Sequence, residues 1–144
     1  MEAARLKKKR FKYTALEERK MWHFFVNELR TGSIRRTGIM HLWKRYAASG
    51  QSTKHPMGLE SHFRRIMVPR VMDQCGDMSI EDFFLTLRYL QIHLNLDHVK
   101  TLERKFRCRI YTTKDAIFCR ARSRGWFTCR SCFKTLPNHH VLCR

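Results

Sequence analysis

The chain has 144 residues and carries 30 Lys and Arg against 12 Asp and Glu, a formal net charge of +18 with a pI near 10.4. This surplus is larger than solubility requires and indicates a polyanionic partner or surface. The chain is 43% apolar and 12% aromatic, so it can bury a core, while its apolar stretches are far too short for a membrane-spanning helix.

Residues 1–12 are predicted to be a basic, solvated tail, because six of them are Lys or Arg and one is Glu. No apolar segment follows, so we expect no secretory signal, and we expect the six cysteines of the chain to be reduced thiols or metal ligands. The tail contains a basic cluster of the nuclear-localisation type. Its members are Lys7, Lys8, Lys9 and Arg10.

The first predicted helix covers about residues 15–31. Thr14 and Glu17 form a capping box at its start, and Gly32 is a plausible stop. The i, i+4, i+7 spacing of its apolar residues is typical of one helix face. That face comprises Trp22, Val26 and Leu29.

A second helix is expected from Thr37 or Gly38 to Gly50, where the apolar spacing repeats. A third helix follows, limited near its end by Pro69, which lacks an N–H group. Its apolar stripe consists of Leu59, Phe63 and Ile66. Polar and basic side chains interleave on the opposite faces of this helix, and they are His62, Arg64, Arg65 and Arg70.

Three short amphipathic helices can bury their aromatic stripes together, and a basic third helix can then lie in a DNA major groove. Residues 13–71 resemble Myb/SANT domains in this respect, with Trp22 and Trp43 at two of the tryptophan positions and Phe63 at the third. The candidate nucleic-acid contacts are therefore His62, Arg64, Arg65 and Arg70. The alternatives are an ordinary solvated helix face and a protein-facing surface, since SANT-type domains also bind histone tails.

Two more helices and a small hairpin are expected in the second half. Ser79 with Asp82 caps a strongly periodic fourth helix, and Asn95 or Asp97 caps a fifth. The apolar residues assigned to these helices are Ile80, Phe83, Phe84, Leu87, Leu90 and Leu94, and then Leu96, Val99, Leu102 and Phe106. Beyond them the period changes to two, which predicts strands around residues 107–112 and 116–119.

The runs 78–87, 94–97 and 106–111, which close on Arg109-Ile110-Tyr111, resemble the second half of the SPK domain. This domain occurs in nematode proteins and is named for its association with SET, PHD and protein-kinase modules. With the helical first half included, the resemblance spans about residues 13–120. It implies a nuclear module associated with chromatin or transcription and assigns no catalytic residues.

The last cysteines have the spacing of metal ligands. Cys129-x-x-Cys132 can supply two thiolates of a tetrahedral structural zinc site, and His139 with Cys143 can supply the other two ligands. His140 and Cys119 are substitutes. The alternatives are a basic tail with free thiols and a redox pair, although no thioredoxin-like pattern surrounds it.

We therefore predict a mainly α fold of about five helices, with a Myb-like three-helix first half, two more helices and a small carboxyl-terminal β-hairpin. The predicted organisation is a basic tail over 1–12, a single domain over 13–120 and a basic Cys/His-rich tail over 121–144. Within the domain, residues 13–71 form the Myb-like part and residues 78–120 the helix–helix–hairpin part.

No Walker loop, GxGxxG, GxSxG or HExxH motif occurs, so we expect no enzyme.

The leading hypothesis is a nuclear module that binds DNA or chromatin through the third helix and the basic tails, with no membrane partner. DNA is preferred over RNA as its ligand. One alternative is a protein-interaction module that uses an acidic or apolar surface of helices 4 and 5, with an exposed apolar patch along helix 4 as its discriminator and Phe84 and Leu87 as the residues to mutate. Another is RNA binding by the Cys/His-rich tail, with Trp126, Phe127 and Phe133 stacking on bases. The sequence leaves the oligomeric state open.

Overall fold

The computed structural model describes residues 13–34, 38–128 and 135–137. Within them the fold is mainly α, as predicted, with five α-helices followed by a small antiparallel sheet. The chain divides into two compact units between Thr53 and Lys54. The third helix therefore belongs to the carboxyl-terminal unit, whereas the Myb-like resemblance grouped it with the first two helices.

The amino-terminal unit contains α1 (Ala15–Thr31) and α2 (Ile39–Ala48). The predicted capping box is present: the Glu17 N–H donates to the Thr14 hydroxyl and the Thr14 N–H donates to the Glu17 carboxylate. Aromatic and aliphatic side chains from both helices are buried, and Arg45 of α2 pairs with Glu28 of α1 at 3.0 Å. Gly32, at φ 78°, ends α1, a conformation that glycine adopts without steric strain.

The third helical segment differs from the regular helix that the sequence predicts. It begins as α3 (Pro56–His62), continues as a π-helical turn (Phe63–Met67) and ends as a 3₁₀ helix (Val68–Gly76). In the π-helical turn the Val68 N–H donates to the Phe63 carbonyl five residues earlier. Directly after Pro69, Arg70 leaves the helical conformation at φ −102° and ψ 19°, so the helix is interrupted where the sequence predicts its limit, and a further 3₁₀ stretch follows the break.

The π-helical turn also corrects the predicted apolar stripe. Because it takes more residues per turn, the core position after Phe63 falls on Met67, which is 1% exposed, and not on Ile66, which is 45% exposed. Leu59 and Val71 continue the buried row at the same four-residue spacing. Ile66 therefore lies on the solvent side.

The core of the carboxyl-terminal unit forms around α4 (Ile80–Tyr89), whose residues from Asp82 to Leu87 are all buried. The predicted Ser79 cap is present, since its hydroxyl accepts from the Asp82 N–H. The sequence assigned Leu94 to this helix, but the helix ends at Tyr89. Leu94 is buried outside it, where its N–H donates to the Ala116 carbonyl at 2.8 Å.

Next comes α5 (Leu96–Phe106), capped as predicted by Asn95, whose side chain accepts from the His98 N–H. Leu102 is the fully buried residue of α5. Leu96, which was predicted to share that apolar face, is 67% exposed. The first turn of α5 therefore contributes less to the core than the sequence pattern predicts.

The predicted hairpin is part of a larger sheet. Its strands are β1 (Arg109–Thr112), β2 (Phe118–Arg122), β3 (Trp126–Thr128) and β4 (Thr135–Pro137), in the antiparallel order β1-β2-β3-β4. The sheet extends past residue 120, where the sequence placed the end of the domain. On its inner face Phe118 stacks against Phe84 of α4, with ring centroids 4.4 Å apart.

Candidate nucleic-acid interface

An open cleft of about 1320 Å³ lies in the carboxyl-terminal unit, between α5 and the β1–β2 ribbon. Its helical wall is a stripe of four polar side chains spaced i, i+3, i+4 and i+7, which places them on one face of α5 and its C-cap. These residues are Lys100, Glu103, Arg104 and Arg107. The opposite side of α5 packs into the core through Leu102.

The floor of the cleft is formed by Arg109, Tyr111 and Arg122 on the outer face of β1 and β2, and Arg120 lies beside it on the same face. Arg109 lies directly opposite Arg122, and Tyr111 lies directly opposite Arg120. Residues opposite each other and two apart share one face of a ribbon. All four side chains therefore project from the face opposite to Ile110 and Ala121, which are buried against the core.

The cleft is strongly basic, with six Lys or Arg side chains and one carboxylate along its lining. That carboxylate, Glu103, is engaged within the fold, because it accepts from the Ile110 N–H at 3.0 Å and so joins α5 to β1. After Asp115 the sequence contains no further Asp or Glu. Among the described residues that line the cleft, the basic side chains therefore outnumber the carboxylates six to one.

Arg109 and Arg122 form a cross-strand pair of like charges, an arrangement that destabilises a ribbon. Among the described residues, no carboxylate forms an ion pair with either arginine. Arginine can bind phosphate through two parallel N–H bonds, so two arginines at opposed positions of the ribbon can both reach one phosphate group. The pair can therefore bind an anion supplied from outside the fold.

Arg107 is a second position where the fold alone would favour another residue. It caps α5 at φ 49° and ψ 53°, the left-handed conformation in which glycine is preferred. Its carbonyl accepts from the Ser123 hydroxyl at 3.1 Å, which ties the end of α5 to the turn after β2. The strained arginine is therefore held at the rim of the cleft.

Cys108 also lines the cleft and is half-buried. Burial, and secondly the negative charge of Glu103, raise the pKa of the Cys108 thiol to about 11. The thiol is therefore protonated near neutral pH, whereas a nucleophile or a metal ligand would need the thiolate. This thiol contributes no charge to the cleft.

The contacts predicted on the third helix do not line this cleft. His62 is half-buried at the end of α3, and Arg64 forms an ion pair with Glu60 at 3.3 Å. Arg65 is exposed, and Arg70 donates to the Ile66 carbonyl at 3.2 Å beside a break in the helical backbone. The segment is thus shorter and less regular than a straight recognition helix.

The other predicted sites lie outside the described residues. These are the basic cluster Lys7, Lys8, Lys9 and Arg10, and the proposed zinc ligands Cys129, Cys132, His139 and Cys143. The substitute ligand Cys119 is exposed on β2, and the described parts of the chain bring no three metal-ligating side chains together. A structural zinc ion remains a prediction from the cysteine and histidine spacing.

The apolar form of the protein-interaction alternative needs an exposed apolar patch on the fourth helix, whereas its acidic form does not. Phe84 and Leu87 are instead fully buried in α4. Phe84 contacts Phe118 and Phe106. An interaction through this part of the chain would need residues other than these two.

None of the six basic residues of the cleft is among the contacts predicted from the sequence, although the sequence contains a signal for them. Arg107 and Arg109 alternate with Cys108 and Ile110, and a second set of arginines alternates through residues 120–124. Period-two alternation of arginine with apolar residues predicts a basic face of a ribbon. The residues after 120 were interpreted as a tail, so the two halves of this face were not brought together.

A comparison with protein-family models finds no match, and a comparison with curated proteins finds no significant one. The resemblances to the Myb/SANT and SPK domains therefore remain predictions. Of the helices that the structure describes, none combines the length and the apolar composition needed to cross a bilayer.

Proposed function

We propose that the protein is a non-enzymatic nucleic-acid-binding module that contacts phosphate groups through the basic cleft. The observation that carries this proposal is the Arg109–Arg122 pair on the cleft floor, flanked by the basic stripe of α5. Neutralising phosphates with Lys and Arg releases counterions, which supplies much of the affinity of such proteins.

Two further features support the proposal. Arg107 and the Arg109–Arg122 pair both oppose local stability, and natural proteins retain such residues where function requires them. Among the described residues that line the cleft, Glu103 binds a backbone N–H group and the pKa of the Cys108 thiol is raised, so neither forms the paired acid and base that hydrolysis would need. The nuclear location of the protein remains a prediction from the Lys7–Arg10 cluster.

The test compares two double variants that remove equal charge from the same unit. Arg109→Gln/Arg122→Gln removes the pair on the cleft floor, and Arg64→Gln/Arg65→Gln removes the two arginines that the sequence argument favoured. Fluorescence anisotropy measures the Kd of the full chain for labelled single-stranded and duplex oligonucleotides of about 10 nucleotides.

We expect the first variant to weaken binding by at least about tenfold, because it removes two charge-assisted contacts. The second variant should stay within about twofold of the unaltered protein, because exposed charges away from a site contribute little. If Arg64→Gln/Arg65→Gln weakens binding as much, or if Arg109→Gln/Arg122→Gln does not weaken it, the cleft is not the contact surface.

A further inference from the structure

The floor of the cleft contains an aromatic ring as well as charge. The Arg120 guanidinium carbon lies over the Tyr111 ring, 4.5 Å from its centroid. Tyr111 is half-buried and lines the cleft, while Arg120 is exposed. The cation–π contact therefore holds a planar, charged group at the surface, immediately beside the Arg109–Arg122 pair.

A guanidinium group held in this way is a surface on which a base can stack. Nucleic-acid bases stack on arginine planes as well as on aromatic rings. A free arginine loses side-chain entropy when it is ordered, but the Tyr111 ring already restricts Arg120, so less is lost on binding. The Tyr111–Arg120 pair places a stacking platform two residues along the ribbon from the Arg109–Arg122 phosphate site, a separation of about 7 Å.

A second aromatic side chain extends the same face of the sheet. Phe127 of β3 lies directly opposite Arg122, and is half-buried. The cross-strand row therefore runs from Arg109 through Arg122 to Phe127. Arginines beside aromatic side chains on an outer sheet face form a surface suited to successive nucleotides.

Stacking of this kind requires bases that are not enclosed in a duplex. In a double helix the faces of the bases are covered by their neighbours, and a side chain reaches only their edges or the phosphates. Contacts to phosphates alone require the charge of Arg120 but not its contact with the Tyr111 ring.

We infer that the cleft binds single-stranded nucleic acid, with a base stacked on the Arg120 guanidinium over Tyr111 and the neighbouring phosphate held by Arg109 and Arg122. This inference rests on the proposed nucleic-acid-binding function and specifies the ligand of the same site. It predicts that affinity depends on the bases as well as on the phosphates.

The experiment measures the Kd of the full chain, by fluorescence anisotropy, for three probes of about 10 nucleotides. These are a single-stranded deoxyadenylate oligomer, an abasic deoxyribose-phosphate oligomer of the same length, and a duplex. The abasic strand keeps the phosphates and removes the bases. We expect the deoxyadenylate strand to bind at least about fivefold more tightly than the abasic strand.

Three variants separate stacking from charge. Arg120→Lys keeps the charge but removes the planar group, and Tyr111→Leu removes the ring; each should abolish the preference for the strand with bases. Tyr111→Phe keeps the ring and should preserve the preference. Because Arg120 is exposed, Arg120→Lys tests the inference even if Tyr111→Leu does not fold.

Equal binding of the deoxyadenylate and abasic strands would overturn the inference, as would a preference unaffected by Arg120→Lys, or tighter binding of the duplex. In each of these cases the proposed function still stands if Arg109→Gln/Arg122→Gln weakens binding of the probes. If that double variant binds every probe like the unaltered protein, the proposed function fails as well.

Discussion

Arg107 illustrates how a single residue can be placed against its local preference. A non-glycine residue in the left-handed region costs about 1 kcal/mol or more relative to glycine. The chain accepts this cost at the rim of a cleft lined by six basic side chains. Glycine at position 107 would suit the backbone conformation better, whereas arginine adds a positive charge to the cleft.

We expect Arg107→Gly to raise the free energy of unfolding by up to about 1 kcal/mol, because glycine relieves the left-handed strain. The same variant should weaken oligonucleotide binding, because one cation of the cleft is lost. Urea denaturation and anisotropy titration measure the two effects. A loss of stability together with unchanged binding would mean that Arg107 stabilises the fold and does not contribute to oligonucleotide binding.

Cys108 shows the effect of burial and of a nearby carboxylate on a thiol. Its pKa is raised to about 11, first by burial and then by Glu103. A raised pKa means that the folded state favours the protonated thiol. The stability that this contributes is present below the unfolded pKa of 9.0 and is lost as the pH rises toward about 11.

Alkylation of Cys108 by iodoacetamide, followed by peptide mass spectrometry, tests this assignment. In the folded chain the rate should keep rising with pH from about pH 8 to about pH 10 without a plateau. Glu103→Gln should lower the Cys108 pKa, yet leave it above the ordinary value, since burial is the larger cause. A Cys108 rate that already levels off near pH 9 in the unaltered protein would contradict the raised pKa.

At the scale of secondary-structure elements, the helix starts were predictable and the irregular helix was not. Thr14, Ser79 and Asn95 each accept a hydrogen bond at the start of a helix, as their sequence context predicts. Capping depends on residues within one turn, so it is visible locally. The π-helical turn at Phe63–Met67 depends on which side chains the rest of the carboxyl-terminal unit can bury, which no local pattern encodes.

Adjacent positions in the π-helical turn provide a direct test. We expect Met67→Ala to lower the free energy of unfolding by about 2–5 kcal/mol, because it removes a fully buried side chain. Ile66→Ala should change it much less, because Ile66 is nearly half exposed. Urea denaturation of the two variants measures both values. A regular helix, in which Ile66 faces the core, would give the opposite order.

At the scale of the whole molecule, the net charge of +18 has a more definite location than composition alone implies. Residues 104–144 contain eleven Lys or Arg and one acid, which the sequence alone attributes to a basic end of the chain. Several of these arginines are instead fixed on α5 and on the β1–β2 ribbon. A structured cleft, in addition to tails, can therefore contribute to the electrostatic attraction.

The salt dependence of binding measures this contribution. Six phosphate contacts in the cleft predict that log K falls against log salt with a slope of about −4 for a single strand. Arg109→Gln/Arg122→Gln should make the slope shallower by about 1.4, and Arg64→Gln/Arg65→Gln should leave it unchanged. The measurement is the Kd between about 50 and 200 mM salt. An unchanged slope in the cleft variant would assign the attraction to residues elsewhere.

The sequence by itself determined the mainly helical composition, the starts of α1, α4 and α5, and the presence of antiparallel strands near the carboxyl end. These depend on caps and on hydrophobic periods, which act over a few residues. Only the tertiary structure decided that Arg109 lies opposite Arg122, that Arg120 covers Tyr111, and that α5 supplies the other wall. Strand register and the packing of a helix against a sheet are set by contacts between distant parts of the chain, so the cleft emerges only when those parts are brought together.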